Sequence, residues 1–338
     1  MRKLTALFAL ICLSFSILFP SPALADRALP ESRSMLDYKV TPKVIYGQGE
    51  IQNGQGDRNL WMDFYEPLIE KEPRTTKPRP AIVFTFGGAF HRGDPRQTYH
   101  EDGAQDTSPG DYCRKFATRG YACFAIDYRL APENPVPSGE GYSPEDLDFT
   151  GVKLLLDQVN KVRKAMELDP LDPDEPEDME FLNDAVLSAA EDLRAAVTHI
   201  SKRSRDYNID PERIVLGGFS AGAVTSLNVA HGMHEPVVGA FLLSGANVGF
   251  DILNTVTSPD SPPVLMFQGQ NDLEANFALT PILMEHYDKV GVPYEFAWVP
   301  SFGHFYTSGA TSLSGDGSRM SVEERIVQFL EETMGGDS

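Results

Sequence analysis

Between Arg213 and Ala223 the chain reads Arg-Ile-Val-Leu-Gly-Gly-Phe-Ser-Ala-Gly-Ala. An apolar run that stops at glycine and continues as small residues predicts a buried strand, a tight turn and then a helix. Glycines two before and two after Ser220 are what such a turn demands, because a side chain at either place would collide with its neighbours. The turn would stand Ser220 at the edge of a sheet, with its hydroxyl at a helix N-terminus whose free amides favour negative charge. That context points to a nucleophile; the plainer reading is a structural turn serine. A serine hydroxyl is weak at neutral pH, so a base and an acid to orient it must lie elsewhere in the chain.

The rest of the chain repeats the strand and helix alternation. Strands are expected at Val44 to Tyr46, Leu60 to Tyr65, Ala81 to Phe86, Tyr121 to Asp127, Arg213 to Gly217, Val238 to Leu243, Val264 to Gln268 and Tyr294 to Val299. Several are continuous apolar runs, the mark of strands buried on both faces of a parallel sheet. Helices are expected at Pro109 to Arg119, Leu182 to Arg205, Ala221 to His231, Phe277 to Val290 and Val322 to Met334. Together these predict one α/β domain over 26–338, an eight-stranded and mostly parallel sheet flanked by helices. The first two strands have no helix between them, so that end of the sheet should be antiparallel.

One segment, about 134–184, breaks the alternation. It opens on proline and glycine, carries a helical stretch from Pro144 to Leu168, and ends in Asp169-Pro170-Leu171-Asp172-Pro173-Asp174-Glu175-Pro176-Glu177-Asp178, whose three prolines and six acids argue against a packed element there. Because it leaves the carboxyl end of a strand, where ligands bind in such sheets, it is placed to be a lid or a substrate wall. A solvated decoration and a Ca²⁺ loop are the alternatives, the second without EF-hand spacing.

His304 follows the last expected strand and Asp272 follows the strand Val264 to Gln268, so both fall at the sheet edge that carries Ser220. Asp251 and Asp260 are rival acids. His199, His231, His234 and His286 fall in or just after helices, and His91 and His100 precede the serine. After strand Ala81 to Phe86 comes Gly87-Gly88-Ala89-Phe90, a small-residue turn whose bare amides can approach a substrate oxygen. Gly88, Ala89 and Ala221 are therefore candidate oxyanion donors. Phe86, Phe90, Phe219 and Phe302 lie on the motif loops and are candidate pocket residues. The turn has neither P-loop nor dinucleotide-binding glycine spacing.

Four runs, Gly87-Gly88-Ala89-Phe90, Asp127-Tyr128-Arg129-Leu130-Ala131-Pro132-Glu133, Asp210-Pro211-Glu212-Arg213-Ile214 and Gly218-Phe219-Ser220-Ala221-Gly222, together resemble the hormone-sensitive-lipase-like carboxylesterases of the α/β-hydrolase superfamily. The likeness spans about residues 60 to 330. It implies hydrolysis of esters of short to medium acyl chains, without a cofactor or metal, by a Ser-Asp-His set in that chain order. It also implies that the Asp127 to Glu133 run buttresses the nucleophile loop. Phe86 stands where the family has histidine, Ala89 where it has a third glycine, and Phe219 where it has aspartate, so fold and reaction follow from the likeness and substrate does not. Two rival readings share the fold: a serine exopeptidase of the prolyl-oligopeptidase type, and a catalytically silent binding module.

At the N-terminus Arg2 and Lys3 precede an apolar run, Leu4 to Phe19, and Ala23-Leu24-Ala25. The run is shorter than the roughly 20 residues of a membrane-spanning helix and reads as a secretory signal peptide cleaved after Ala25. The mature chain would then be secreted or periplasmic, without stable membrane insertion. Its loss removes two cations and no acids, so the formal charge of −20 becomes −22. Such acidity argues against nucleic acid or anionic membrane as a partner, since those are bound through Lys and Arg. A small-molecule or polysaccharide-linked ester fits better. With Cys12 gone, Cys113 and Cys123 remain in an oxidising compartment, either as one disulfide or as two buried thiols.

Overall fold

The computed structural model describes residues 35–54, 56–68, 77–101 and 103–335; the expected leader, residues 1–25, lies outside them. Ten strands make one sheet: β1 (Asp37–Ile51), β2 (Gly56–Leu68), β3 (Arg79–Thr85), β4 (Ala122–Ile126), β5 (Ile209–Phe219), β6 (Gly239–Leu243), β7 (Val264–Gly269), β8 (Tyr294–Val299), β9 (Thr311–Ser314) and β10 (Arg319–Ser321). Their order across the sheet is β1-β2-β4-β3-β5-β6-β7-β8-β9-β10. The six from β4 to β8 are mutually parallel, and antiparallel pairs close both edges. The fold class is the α/β sheet expected, with two strands more than the eight expected. Strands β9 and β10 are short and rich in serine around Gly315-Asp316-Gly317, a hairpin turn whose flanks lack the apolar alternation that marks a strand.

Alternate residues of the central strands face opposite cores, as a period of two requires. Ala81, Val83, Ile214, Leu216, Ala240 and Leu242 pack on one side. Ile82, Phe84, Val215, Phe241 and Leu243 pack on the other. The first side is covered by α3 (Pro176–Lys202), α4 (Ala221–Leu227) and α5 (Glu274–Val290), the second by α1 (Pro109–Ala117) and α6 (Val322–Met334). Burial on both faces is why these strands read as unbroken apolar runs.

The segment after β4 is a packed cap. Its expected long helix is instead a 3₁₀ turn at Pro144–Asp146, a two-residue strand Leu147–Asp148 paired with Gly249–Phe250, a second 3₁₀ turn at Thr150–Leu155 and α2 (Leu156–Ala165). The acidic, proline-rich stretch is also more ordered than its composition suggests. Leu171 is buried, with the Asn160 carboxamide bonded to both its amide and its carbonyl. Pro176 opens α3, where a proline costs no hydrogen bond, and Glu177 and Asp178 sit in that first turn, where the helix dipole favours acids. Val152, Leu156, Val159, Val162, Leu171, Leu182 and Val186 form a third core with Phe86, Phe90, Tyr128 and Ala221. A solvated decoration would bury no such set.

Cys113 of α1 and Cys123 of β4 are joined as a disulfide, with Cα atoms 5.2 Å apart. The bond ties a helix on one face to a strand inside the sheet across a loop of 10 residues. Replacing both cysteines with alanine should lower unfolding free energy by about 3 kcal/mol, the loop-closure entropy of a ring this size, read as a lower urea midpoint. An unchanged midpoint would show that the bond adds nothing to stability.

Candidate active site

Ser220 caps α4 with φ 53° and ψ −118°, a conformation costly for a residue with a side chain. The two flanking glycines make it possible. A Cβ on Gly218 would lie 2.0 Å from the carbonyl oxygen of Gly222, and one on Gly222 would lie 2.2 Å from that of Thr85. The turn is thereby pressed against the end of β3, and the Ser220 amide is tied to Leu243 of β6 at 2.8 Å.

The loops after β7 and β8 bring Asp272 and His304 to the same place. His304 Nε2 is 2.8 Å from Ser220 Oγ, and His304 Nδ1 is 2.6 Å from Asp272 Oδ1. The Asp272 side chain is fully buried. Burial would raise its pKa, but the His304 charge and hydrogen bond, the Ser244 hydroxyl and the Leu273 amide together hold it below the ordinary carboxylate value. Asp272 is thus kept as the anion that fixes Nδ1 as the protonated nitrogen, leaving Nε2 to accept the proton of Ser220. The rival acids are elsewhere: Asp251 caps the turn Ile252–Thr255 and Asp260 sits in an exposed turn with Ser258.

Gly88 and Ala89 face Ser220 from the loop after β3. Gly88, Ala89 and Phe90 all have positive φ, so the chain folds back sharply there. Among the described residues, the amides of Gly88, Ala89 and Ala221 donate to no other backbone group. Two cavities meet at Ser220 and His304. One, of about 30 Å³, is walled by Ala89, Phe90, Ala221, Val224 and Leu273 from the body and by Val152, Leu155, Gln158, Val159, Leu182 and Val186 from the cap side. The other, about 10 Å³, is bordered by Gly88, Arg92, Tyr99, Val162, Phe219 and Phe305.

Of the expected pocket phenylalanines, Phe90 and Phe219 line these cavities, and Phe86 and Phe302 line neither. Phe86 points down and stacks on Tyr128, ring centres 4.3 Å apart, because the reversal of the backbone comes only after it. Phe302 meets Tyr306 edge-on at 6.5 Å. Tyr128 also donates to the Phe86 carbonyl at 3.0 Å, and the Ala131 amide donates to that of Phe90 at 2.7 Å. The Asp127 to Glu133 run therefore braces the loop of Gly88 and Ala89 rather than the nucleophile turn. Ser244, at the end of β6, was not singled out in the sequence. Its place at the carboxyl end of an expected strand was the available signal, and its hydroxyl lies 3.2 Å from that of Tyr306.

Residues 164–309 match a family described as Phospholipase/Carboxylesterase. The sequence is 23% identical over 195 residues to "Lipase 2" of Moraxella sp. (strain TA144), a stretch that is 57% of this chain and 31% of that protein. The chain thus spans about a third of the length of this curated relative. Among solved structures, Thermogutta terrifontis esterase 2 phosphorylated by paraoxon superposes with a TM-score of 0.54 at 19% identity, over 91% of this chain and 100% of that one. A truncated carbohydrate esterase from gut microbiota gives 0.52 at 15% identity, over 90% and 99%. The chain has the α/β-hydrolase fold.

His91, set aside as preceding the serine, proves to be a strut. Its Nδ1 meets the Ala89 carbonyl at 2.7 Å, and its Nε2 meets Arg163 of the cap at 2.9 Å. Arginine can only donate, so Nε2 accepts and Nδ1 carries the hydrogen. Burial lowers the His91 pKa to about 4, against about 6.5 in an unfolded chain. The fold therefore holds the neutral ring, and the stability this brings is present above pH 6.5 and lost as pH falls toward 4. Between pH 7.5 and 4.5 the loss should be about 2.5 kcal/mol. His91→Gln should shrink the wild-type difference in urea stability between those two pH values by that amount; an undiminished difference would show that His91 does not titrate this way.

Proposed function

We propose that the protein is a secreted or periplasmic serine esterase of the hormone-sensitive-lipase-like kind, acting on carboxylic esters of short to medium acyl chains. The observation that carries this reading is the buried chain of contacts from Asp272 through His304 to Ser220, at 2.6 and 2.8 Å. In the first step His304 Nε2 takes the hydroxyl proton as Ser220 Oγ bonds to the ester carbonyl carbon. The amides of Gly88, Ala89 and Ala221 receive the oxyanion. Collapse breaks the bond to the alcohol oxygen, which leaves with the proton from His304. Water, deprotonated by the same ring, then cleaves the acyl-enzyme and releases the acid.

Two cavities meeting at the nucleophile suit a substrate with two arms, one acyl and one alcohol. The narrowness of the larger cavity favours a small group beside Ser220.

Ser220→Ala should lower kcat/KM on p-nitrophenyl acetate and butyrate by about 10⁴- to 10⁶-fold with unchanged circular dichroism. Turnover retained by that variant would sink the proposal. A fluorophosphonate should label wild-type Ser220, which a silent binding module would not allow; turnover of aminoacyl p-nitroanilides in place of esters would favour the exopeptidase. Mass spectrometry of the exported protein should find Asp26 as the first residue, and an intact Met1 would contradict export by a cleaved leader.

A further inference from the structure

The polar side chains that border the larger cavity are all accounted for but one. Ser220 and His304 are bonded to each other, Ser244 to Tyr306, and Gln158 is only half-buried. Asn276, in the first turn of α5 and four residues after Asp272, borders the same cavity and is 2% exposed. Its Nδ2 is buried without a hydrogen-bond partner. Its Oδ1 makes no hydrogen bond among the described residues either, but unlike Nδ2 it is not fully buried. Burying an amide without partners is unfavourable, and leucine would fill nearly the same space at no such cost. Much of the rest of the wall, including Val152, Leu155, Val159, Leu182, Val186 and Val224, is aliphatic.

Taking Ser220 as the nucleophile, as proposed above, we infer that Asn276 determines specificity by hydrogen-bonding a hydroxyl group on the half of the ester that occupies this cavity. A hydroxyl both donates and accepts, and so meets both ends of a carboxamide. The substrates are then hydroxylated esters rather than plain hydrocarbon ones. A wall that offers a buried polar partner discriminates strongly against an analogue that cannot use it, whereas an aliphatic wall barely distinguishes the two.

The test uses two matched pairs of substrates. p-Nitrophenyl 3-hydroxybutyrate against p-nitrophenyl butyrate places the hydroxyl in the acyl half, and 2,3-dihydroxypropyl butyrate against propyl butyrate places it in the alcohol half. In at least one pair the wild-type kcat/KM ratio should favour the hydroxylated ester by about tenfold or more, and Asn276→Leu should bring that ratio close to unity. Asn276→Ala serves the same purpose if the leucine variant does not fold. Equal ratios for wild type and variant in both pairs would overturn the inference, and would do so even with Ser220 labelled by fluorophosphonate and all four esters turned over. No turnover and no label would instead defeat the esterase reading, and this inference with it.

Discussion

Everything at the site depends on how closely two strand ends approach one another. The carbonyl oxygens of Thr85 and Phe86 lie 2.2 and 2.6 Å from where a Cβ on Gly222 would stand. Only a glycine lets α4 start that near to β3. This contact sets the distance between Ser220 and the amides of Gly88 and Ala89, which no single loop could fix alone. The strained φ of Ser220 is the local cost, and it is held by the Leu243 hydrogen bond and by the buried Phe219 and Ala221 on either side.

Supports for the site come from both sides of this contact. Beneath it, Tyr128 and Ala131 brace the loop of Gly88 to Phe90. Above it, His91 joins that loop to Arg163, and Lys161 of the same helix pairs with Glu101 at 2.6 Å. Behind the histidine, Asp272 is buried as an anion whose partners are the His304 ring, Ser244 and the start of α5. Ser220, Asp272 and His304 sit at the ends of sheet strands, and the space in front of them is walled by residues of the body and of the cap alike.

Much of this was legible in the chain because the central strands are buried on both faces and the candidate site residues lie at their carboxyl ends. Ser220 is marked by the glycines on either side of it, and Asp272 and His304 by their places after two later strands. Other parts depend on angles that residue type does not encode. Phe86 and Phe90 are both apolar and four residues apart, yet one faces the core and the other the cavity, because positive φ values at 88 to 90 reverse the chain between them. The cap's 3₁₀ turns were unreadable since Phe149, Thr150 and Gly151 do not break the apolar pattern. Asn276 lies outside the helix expected from Phe277, because α5 begins at Glu274. The role of His91 shows in no local pattern, because it comes from Arg163, a partner 72 residues away.

Helix α3 is continuous for 27 residues, and its two ends belong to different neighbourhoods. Leu182, Ala185, Val186 and Ala189 pack in the cap, while Leu193, Ala196, Val197 and Ile200 pack against the sheet. At its middle, Asp192 is clamped by Arg129 in a buried ion pair of 2.8 Å. One helix thus serves both as a wall of the cavity, through Leu182 and Val186, and as a cover of the sheet.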